Sequence, residues 1–304
     1  MLELGQDGSV WAGAGTKMAA VFLGVFAALC WSLHDLVARS LAVRIGPFCM
    51  AALVMVAGGL LITGIVLWRG TVWTAPVTGL VQGLMLGFAY GFGVGGLFKA
   101  FSLGPISLVG PMTAGYPVLV VLWGVASGLR PPPLHWVAVA ATVAGAIIVA
   151  RSGGKDGGIN AVEPGKLPTL MFFCGLSALG YALAIILGQT AAPAVGEIEV
   201  TWLSRATALV TIIPFMLRET VPRALSRRHW LGVLVMAGLD VAGLIAVNAA
   251  GHLPGKEFAA VGISAYGAIA VVLAMIVLKE RVSAGQWLGI ALIVGGVATL
   301  SVSQ

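Results

Sequence analysis

Charged side chains are scarce in this sequence: they make up 9% of its 304 residues, against 59% hydrophobic ones, and the mean hydropathy is +1.03. So little polar surface cannot coat a water-soluble globule, which leaves lipid as the solvent for most of the chain. Cysteine is scarcer still. The three present, Cys30, Cys49 and Cys174, lie inside apolar runs and offer no disulfide framework or metal-ligand spacing. Also missing are H-E-x-x-H, G-x-S-x-G, the GxxxxGK[ST] phosphate loop and any cluster of acids able to hold a metal ion. These absences argue against an enzyme and against an ATP-driven pump, and we expect no metal and no cofactor. Polar residues are too sparse and dispersed for the ring or filter of an ion channel. A membrane enzyme or a channel-like pore working without ATP stands as the alternative, with the His34-Asp35 dyad as its only suggestive feature.

What is present is a succession of apolar runs of roughly 17 to 25 residues, the length that spans a hydrocarbon core. They fall at 18–37, 47–68, 77–101, 106–129, 134–150, 167–187, 200–217, 230–250, 258–278 and 284–301. Residues 1–17 lack a basic start and read as a short tail rather than a cleavable signal. The glycine-rich, charged stretch 152–166 reads as a linker between a first five-helix repeat, 18–151, and a second, 167–304. The repeats align at a separation of about 150 residues: Trp31 falls on Tyr181 and Tyr116 on Tyr266, and with a one-residue slip His135-Trp136 falls on Gln286-Trp287 and Gly145 on Gly296. An odd number of spans in each half makes the second enter from the opposite side. The expected fold is therefore an all-α integral membrane protein of ten transmembrane helices in two inverted five-helix repeats, with a solute site between them.

Two blocks carry a resemblance: Lys99-Ala-Phe-Ser-Leu-Gly-Pro-Ile-Ser entering the fourth helix, and Leu278-Lys-Glu-Arg-Val-Ser-Ala-Gly-Gln-Trp-Leu-Gly entering the tenth. With them the chain resembles the drug/metabolite transporter superfamily, EamA type, over nearly its whole length. The resemblance implies a ten-helix exporter or exchanger of metabolites, prominently amino acids and related amphiphilic compounds. In that family a glycine usually precedes the glutamate before the last helix. Here Lys279 precedes Glu280, and the matching turn of the first half, Leu129-Arg130-Pro131, has no acid.

The 17 Lys and Arg outnumber the 11 Asp and Glu, but they are scattered between apolar runs and read as loop charge, not as a nucleic-acid surface. About twelve of them follow odd-numbered helices and about four lie on the other side, which by the positive-inside rule places both termini outside the cytoplasm. The resemblance implies the reverse. We expect a multi-pass protein of the cell membrane, the inner membrane in a bacterium, whose partners are lipid and a small-molecule substrate, as a monomer or weak homo-oligomer.

Ionisable groups inside spans are costly and mark function. Asp240, midway along the eighth helix, is the leading site candidate, and Asn248 shares its helix face. Arg205 either pairs with Asp240, holds a substrate carboxylate, or snorkels to the interface. Asp35 shares a face with Trp31, so that an acid joins an aromatic wall, unless it and His34 lie at the interface near Arg39. His34, Asp35 and Asp240 are the candidates for proton coupling. Tyr90, Tyr116, Tyr181 and Tyr266 supply aromatic surface, either to the cavity or to plain packing. In the third helix Gly83, Gly87, Gly91 and Gly95 line one face for close helix contact or for sliding. Pro111 and Pro117 bend the fourth helix, and their counterparts Val261 and Gly267 do not, which suggests halves of unequal mechanics with motion in the first and recognition in the second.

Overall fold

The computed structural model describes residues 7–70, 75–126, 128, 130, 132–152, 162–220, 225–253, 258–263 and 265–302. Residues 1–6 of the tail, 153–161 of the linker, and Lys256 and Glu257 lie outside them. The described residues contain no strand. Among the described residues twelve α-helices make ten spans. In the first half these are α1 (Asp7–Ile45), α2 (Pro47–Arg69), α3 (Val77–Leu103), α4 with α5 (Ile106–Thr113 and Pro117–Ala126), and α6 (Pro133–Arg151). In the second they are α7 (Leu167–Val195), α8 (Glu197–Met216), α9 (Arg227–Ala249), α10 with α11 (Phe258–Ile263 and Tyr266–Leu273), and α12 (Ala284–Val302). Helix α1 takes in residues 7–17, which sequence reading assigned to a tail.

The repeat is visible in backbone detail. Gly46 joins α1 to α2 at φ 100°, ψ 133°, and Gly196 joins α7 to α8 at φ 101°, ψ 143°. That left-handed corner lets each helix pair turn without the Cβ clash an L side chain would meet. The largest contacts run between the halves and come in matched sets: α3 on α7 mirrors α1 on α9, α3 on α8 mirrors α2 on α9, and α6 crosses α12. At that last crossing Gly145 packs on Gly289 and Ile293, while Gly296 packs on Ala138 and Thr142. Each contact is the image of the other only under the one-residue slip.

The broken fourth span differs from a simple kink. Its helix stops at Thr113 and restarts at Pro117, and the ninth span breaks at the equivalent place, between Ile263 and Tyr266, with no proline to cause it. The halves therefore share the break. In the second half Ser32 Oγ of α1 donates to Ala28 O at 2.7 Å and lies 3.2 Å from the Tyr266 carbonyl.

The glycine stripe of α3 lies against α8, where Gly83, Gly87 and Gly91 let the two backbones meet, and Gly95 lies under the Phe48 ring. A Cβ on Gly87 would stand 2.8 Å from Ser204 Cα, inside any real contact, whereas Gly295 faces open space. Gly87→Ala is expected to lower stability by about 1–3 kcal/mol, the range for an overpacked core. Gly295→Ala is expected to leave it unchanged. Thermal unfolding of the detergent-solubilised protein checks both.

Candidate functional site

The two halves face each other across α1, α3, α7 and α9, and their buried polar residues meet there. Tyr90 of α3 donates its hydroxyl hydrogen to Asp240 Oδ1 of α9. Arg205 Nη1 of α8 donates to Asp240 Oδ2 at 2.6 Å and to Met55 Sδ of α2 at 3.3 Å. Tyr90 and Asp240, like Met55 and Arg205, are 150 residues apart, so each residue touches its own repeat-mate on the pseudo-twofold axis. The Arg205 guanidinium also lies over the Tyr90 ring, 5.4 Å from its centroid. Arg205 is 2% exposed and Asp240 1% exposed, so Arg205 does not snorkel: it is committed to Asp240.

A second acid centre lies on α1. Asp35 Oδ1 is 2.8 Å from His34 Nδ1, and the Tyr266 hydroxyl of α11 donates to Oδ2. The His34 ring stacks on Phe98 of α3 with centroids 5.5 Å apart. Asp35 is 1% exposed, enclosed by protein on all sides. Each acid thus takes a tyrosine hydroxyl from the opposite half. The buried acids and their tyrosine partners come from both repeats.

Between the two acids lies a small cavity of about 40 Å³, lined by Trp31, His34, Asp35, Thr113, Tyr116, Tyr181, Asp240 and Tyr266 together with Leu97, Ile185 and Ile263. That is room for roughly three waters. All four tyrosines of the chain converge here, since Tyr90 packs edge-on against Tyr181 at 5.7 Å. Trp31 and Tyr181, repeat-mates, are seated alike: the indole lies on Gly243 and the phenol ring on Gly93, where an added Cβ would come within 2.9 and 3.1 Å of the rings. Sequence reading paired these two aromatics but had no sign of the glycines beneath them.

Tyr116 breaks the symmetry. Its mate Tyr266 is held by Ser32 and Asp35, but the residues matching those two in α7 are Ala182 and Ile185. The Tyr116 hydroxyl is consequently buried with no hydrogen-bond partner among the described residues, and so are Trp31 Nε1 and His34 Nε2. All three residues border the cavity. Asn248 does not: its Nδ2 donates to Thr201 Oγ1 of α8 at 2.9 Å, away from the space beside Asp240. Pro111 lies within α4, and Pro117 opens α5 just past the cavity wall.

The face carrying the connections after odd-numbered spans is tied across the halves. Glu219, following α8, accepts from Phe48 N and Cys49 N at 3.1 and 2.9 Å, capping α2. Glu280, before α12, accepts from Ile106 N and Ser107 N at 3.2 and 2.9 Å, capping α4. Carboxylates at helix N-termini satisfy free N–H groups and complement the helix dipole. Arg39 adds a bond from α1 to Phe101 O at the end of α3. The Lys279 that stands where a glycine is usual has φ 56°, the one positive φ at a non-glycine residue among those described. A left-handed L residue costs about 1–2 kcal/mol, so the turn that aims Glu280 at α4 is held under strain.

Among proteins compared with this chain, the model of the EamA-like transporter family matches residues 18–151 and again residues 169–302. A solved structure described as "Crystal structure of protein" superposes with a TM-score of 0.66 over 92% of this chain and 97% of its own, at 22% identity, a likeness of fold alone. No curated protein matches.

Proposed function

Because this chain belongs to the EamA-like transporter family, whose members are membrane transporters of the drug/metabolite type, we propose that it carries a small amphiphilic metabolite, an amino acid or a related compound, outward through the central cavity by alternating access. The observation that supports this reading most is the pair of buried acids, Asp35 and Asp240, each bonded to a tyrosine of the other half across a cavity too small to hold a solute. Separating the halves removes a hydrogen bond from each acid, and a bound solute can replace it. A buried acid is costly when left unpaired. Solute binding and the motion of the halves are thereby coupled.

The chemistry of the lining suits a solute with an amine and an apolar body. Asp240 is already neutralised by Arg205, whereas Asp35 is bonded to His34 and Tyr266 and pairs with no arginine or lysine among the described residues. Asp35 is then the group that receives the amine and, in its absence, a proton, with His34 as its relay. The unpaired donors Trp31 Nε1 and Tyr116 OH serve a carboxylate or carbonyl, and the aromatic walls flank the side chain. Polyanions such as sugar phosphates find no uncommitted cation in this lining. Counterflow in proteoliposomes loaded with amino acids, aromatic amines or sugar phosphates tests the reading: exchange of amine-bearing compounds supports it, and exchange of sugar phosphates alone overturns it.

The two tyrosine mates separate structure from binding. Tyr116→Phe removes an unpaired hydroxyl and is expected to leave stability unchanged while weakening apparent solute affinity by a few-fold to about tenfold, the worth of one neutral hydrogen bond. Tyr266→Phe breaks a bond to a carboxylate and is expected to lower stability by about 1.5–3 kcal/mol. Unfolding scans and counterflow Km values on the same two preparations check the contrast.

A further inference from the structure

The seam between α1 and α10 is closed by Gly24 and Gly262: a Cβ on Gly24 would stand 3.0 Å from Gly262 Cα. In the other half the matching positions hold Cys174 and Met112. Their larger side chains keep α7 and α4 apart, and a groove of about 730 Å³ opens there between α4, α5, α6 and α7. Its walls are apolar and outward-facing, with Val143, Ile147, Met171 and Leu179 between 44% and 49% exposed. At one end the lining changes character, to Arg151 at the last turn of α6. Arg151 has no hydrogen bond or ion pair to another described residue.

From Thr142 to Arg151 the groove follows α6 for about nine residues, or ~14 Å at about 1.5 Å per residue. That is one leaflet of a hydrocarbon core about 30 Å thick. The cation therefore sits at headgroup depth and the apolar floor ends near the midplane. We propose that this groove is a binding site for one anionic phospholipid, with an acyl chain along α4 and α7 and its phosphate on Arg151. The charge pattern separates this occupant from the transported solute: the groove ends on a cation, whereas the central cavity is lined by Asp35 and Asp240. Gly115 lies in the groove and its neighbour Tyr116 in the cavity, so the chain packs directly behind the break in the fourth span. It fills on the outside the space that the glycine contact closes in the second half. The inference stands on the groove alone and does not require the transport reading.

The test is native mass spectrometry of the full chain released from nanodiscs of equimolar phosphatidylglycerol and phosphatidylcholine. Wild type is expected to retain phosphatidylglycerol in about fivefold excess, the effect of one basic side chain at an anionic surface. Arg151→Gln should bring the ratio near one, and Arg151→Lys should keep it. Gly175 lines the groove and an added Cβ there meets nothing within 4 Å, so Gly175→Trp should fill the groove and lose the bound lipid of either kind. Gly64→Trp, equally open but on α2, is the control and should retain wild-type lipid. Equal retention of the two lipids by wild type, an undiminished preference in Arg151→Gln, or undiminished lipid in Gly175→Trp would each overturn the proposal.

Discussion

Replacing Asp240 by Asn is expected to destabilise the protein by about 3–5 kcal/mol, the cost of leaving one member of a buried ion pair without its counter-charge. Arg205 is fully enclosed by α2, α3 and α9, and two of its guanidinium nitrogens, Nε and Nη2, already lack partners among the described residues. Among the described residues no other carboxylate pairs with it. Exchanging both partners for neutral ones, Arg205→Met with Asp240→Asn, is expected to restore most of the loss, because removing a buried pair outright is often neutral. Met is the natural choice at 205, since its repeat-mate Met55 occupies the equivalent place. Unfolding scans of the single and double variants measure the stability term. Counterflow by the double variant then measures function separately: if Asp240 also serves the transport cycle, the restored protein remains inactive, and full activity would reduce the pair to a structural brace.

Asp35→Asn is expected to act in the opposite way. An asparagine still accepts from the Tyr266 hydroxyl and strands no arginine, so stability should fall less than in Asp240→Asn. What is lost is the charge that we propose receives the solute amine. A hydrogen bond to a charged group is worth about 1.5–3 kcal/mol, so counterflow efficiency should fall about 10- to 100-fold, and the pH dependence of uptake should flatten with it. An Asp35→Asn protein that transports with wild-type affinity and pH profile would remove Asp35 from the mechanism.

Much of the architecture is legible in the chain because membrane spans announce themselves by length and hydropathy, and because the repeat keeps its register. The slip between Gly145 and Gly296 survives as a mirrored contact at the α6–α12 crossing. The same offset, applied to polar residues, would have matched Tyr90 with Asp240 and Met55 with Arg205, and so would have pointed to the axis of the site. It was the apolar character of Met55 and the aromatic character of Tyr90 that hid the match, since neither resembles its mate. The break in the ninth span is harder to foresee. Residues 258–278 carry no proline to announce it, and the contact beside it comes from Ser32, on another helix far away in sequence. The absent partner of Tyr116 was likewise invisible, because it follows from Ala182 and Ile185 being apolar where Ser32 and Asp35 are polar. Glu219 stood unremarked for the same reason: its role is to cap a helix 170 residues away.

The central claim is that a solute occupies the space between Asp35 and Asp240 and that this space opens to the two faces in turn. The direct measurement is labelling of a cysteine placed in the cavity wall, Ile185→Cys, by a membrane-impermeant maleimide in right-side-out and inside-out vesicles. The native Cys30, Cys49 and Cys174 are all buried and are replaced by alanine beforehand. The account predicts slow labelling from both sides, suppressed by a transported amine-bearing solute. Labelling from neither side, or labelling unaffected by any solute that exchanges in counterflow, would contradict it.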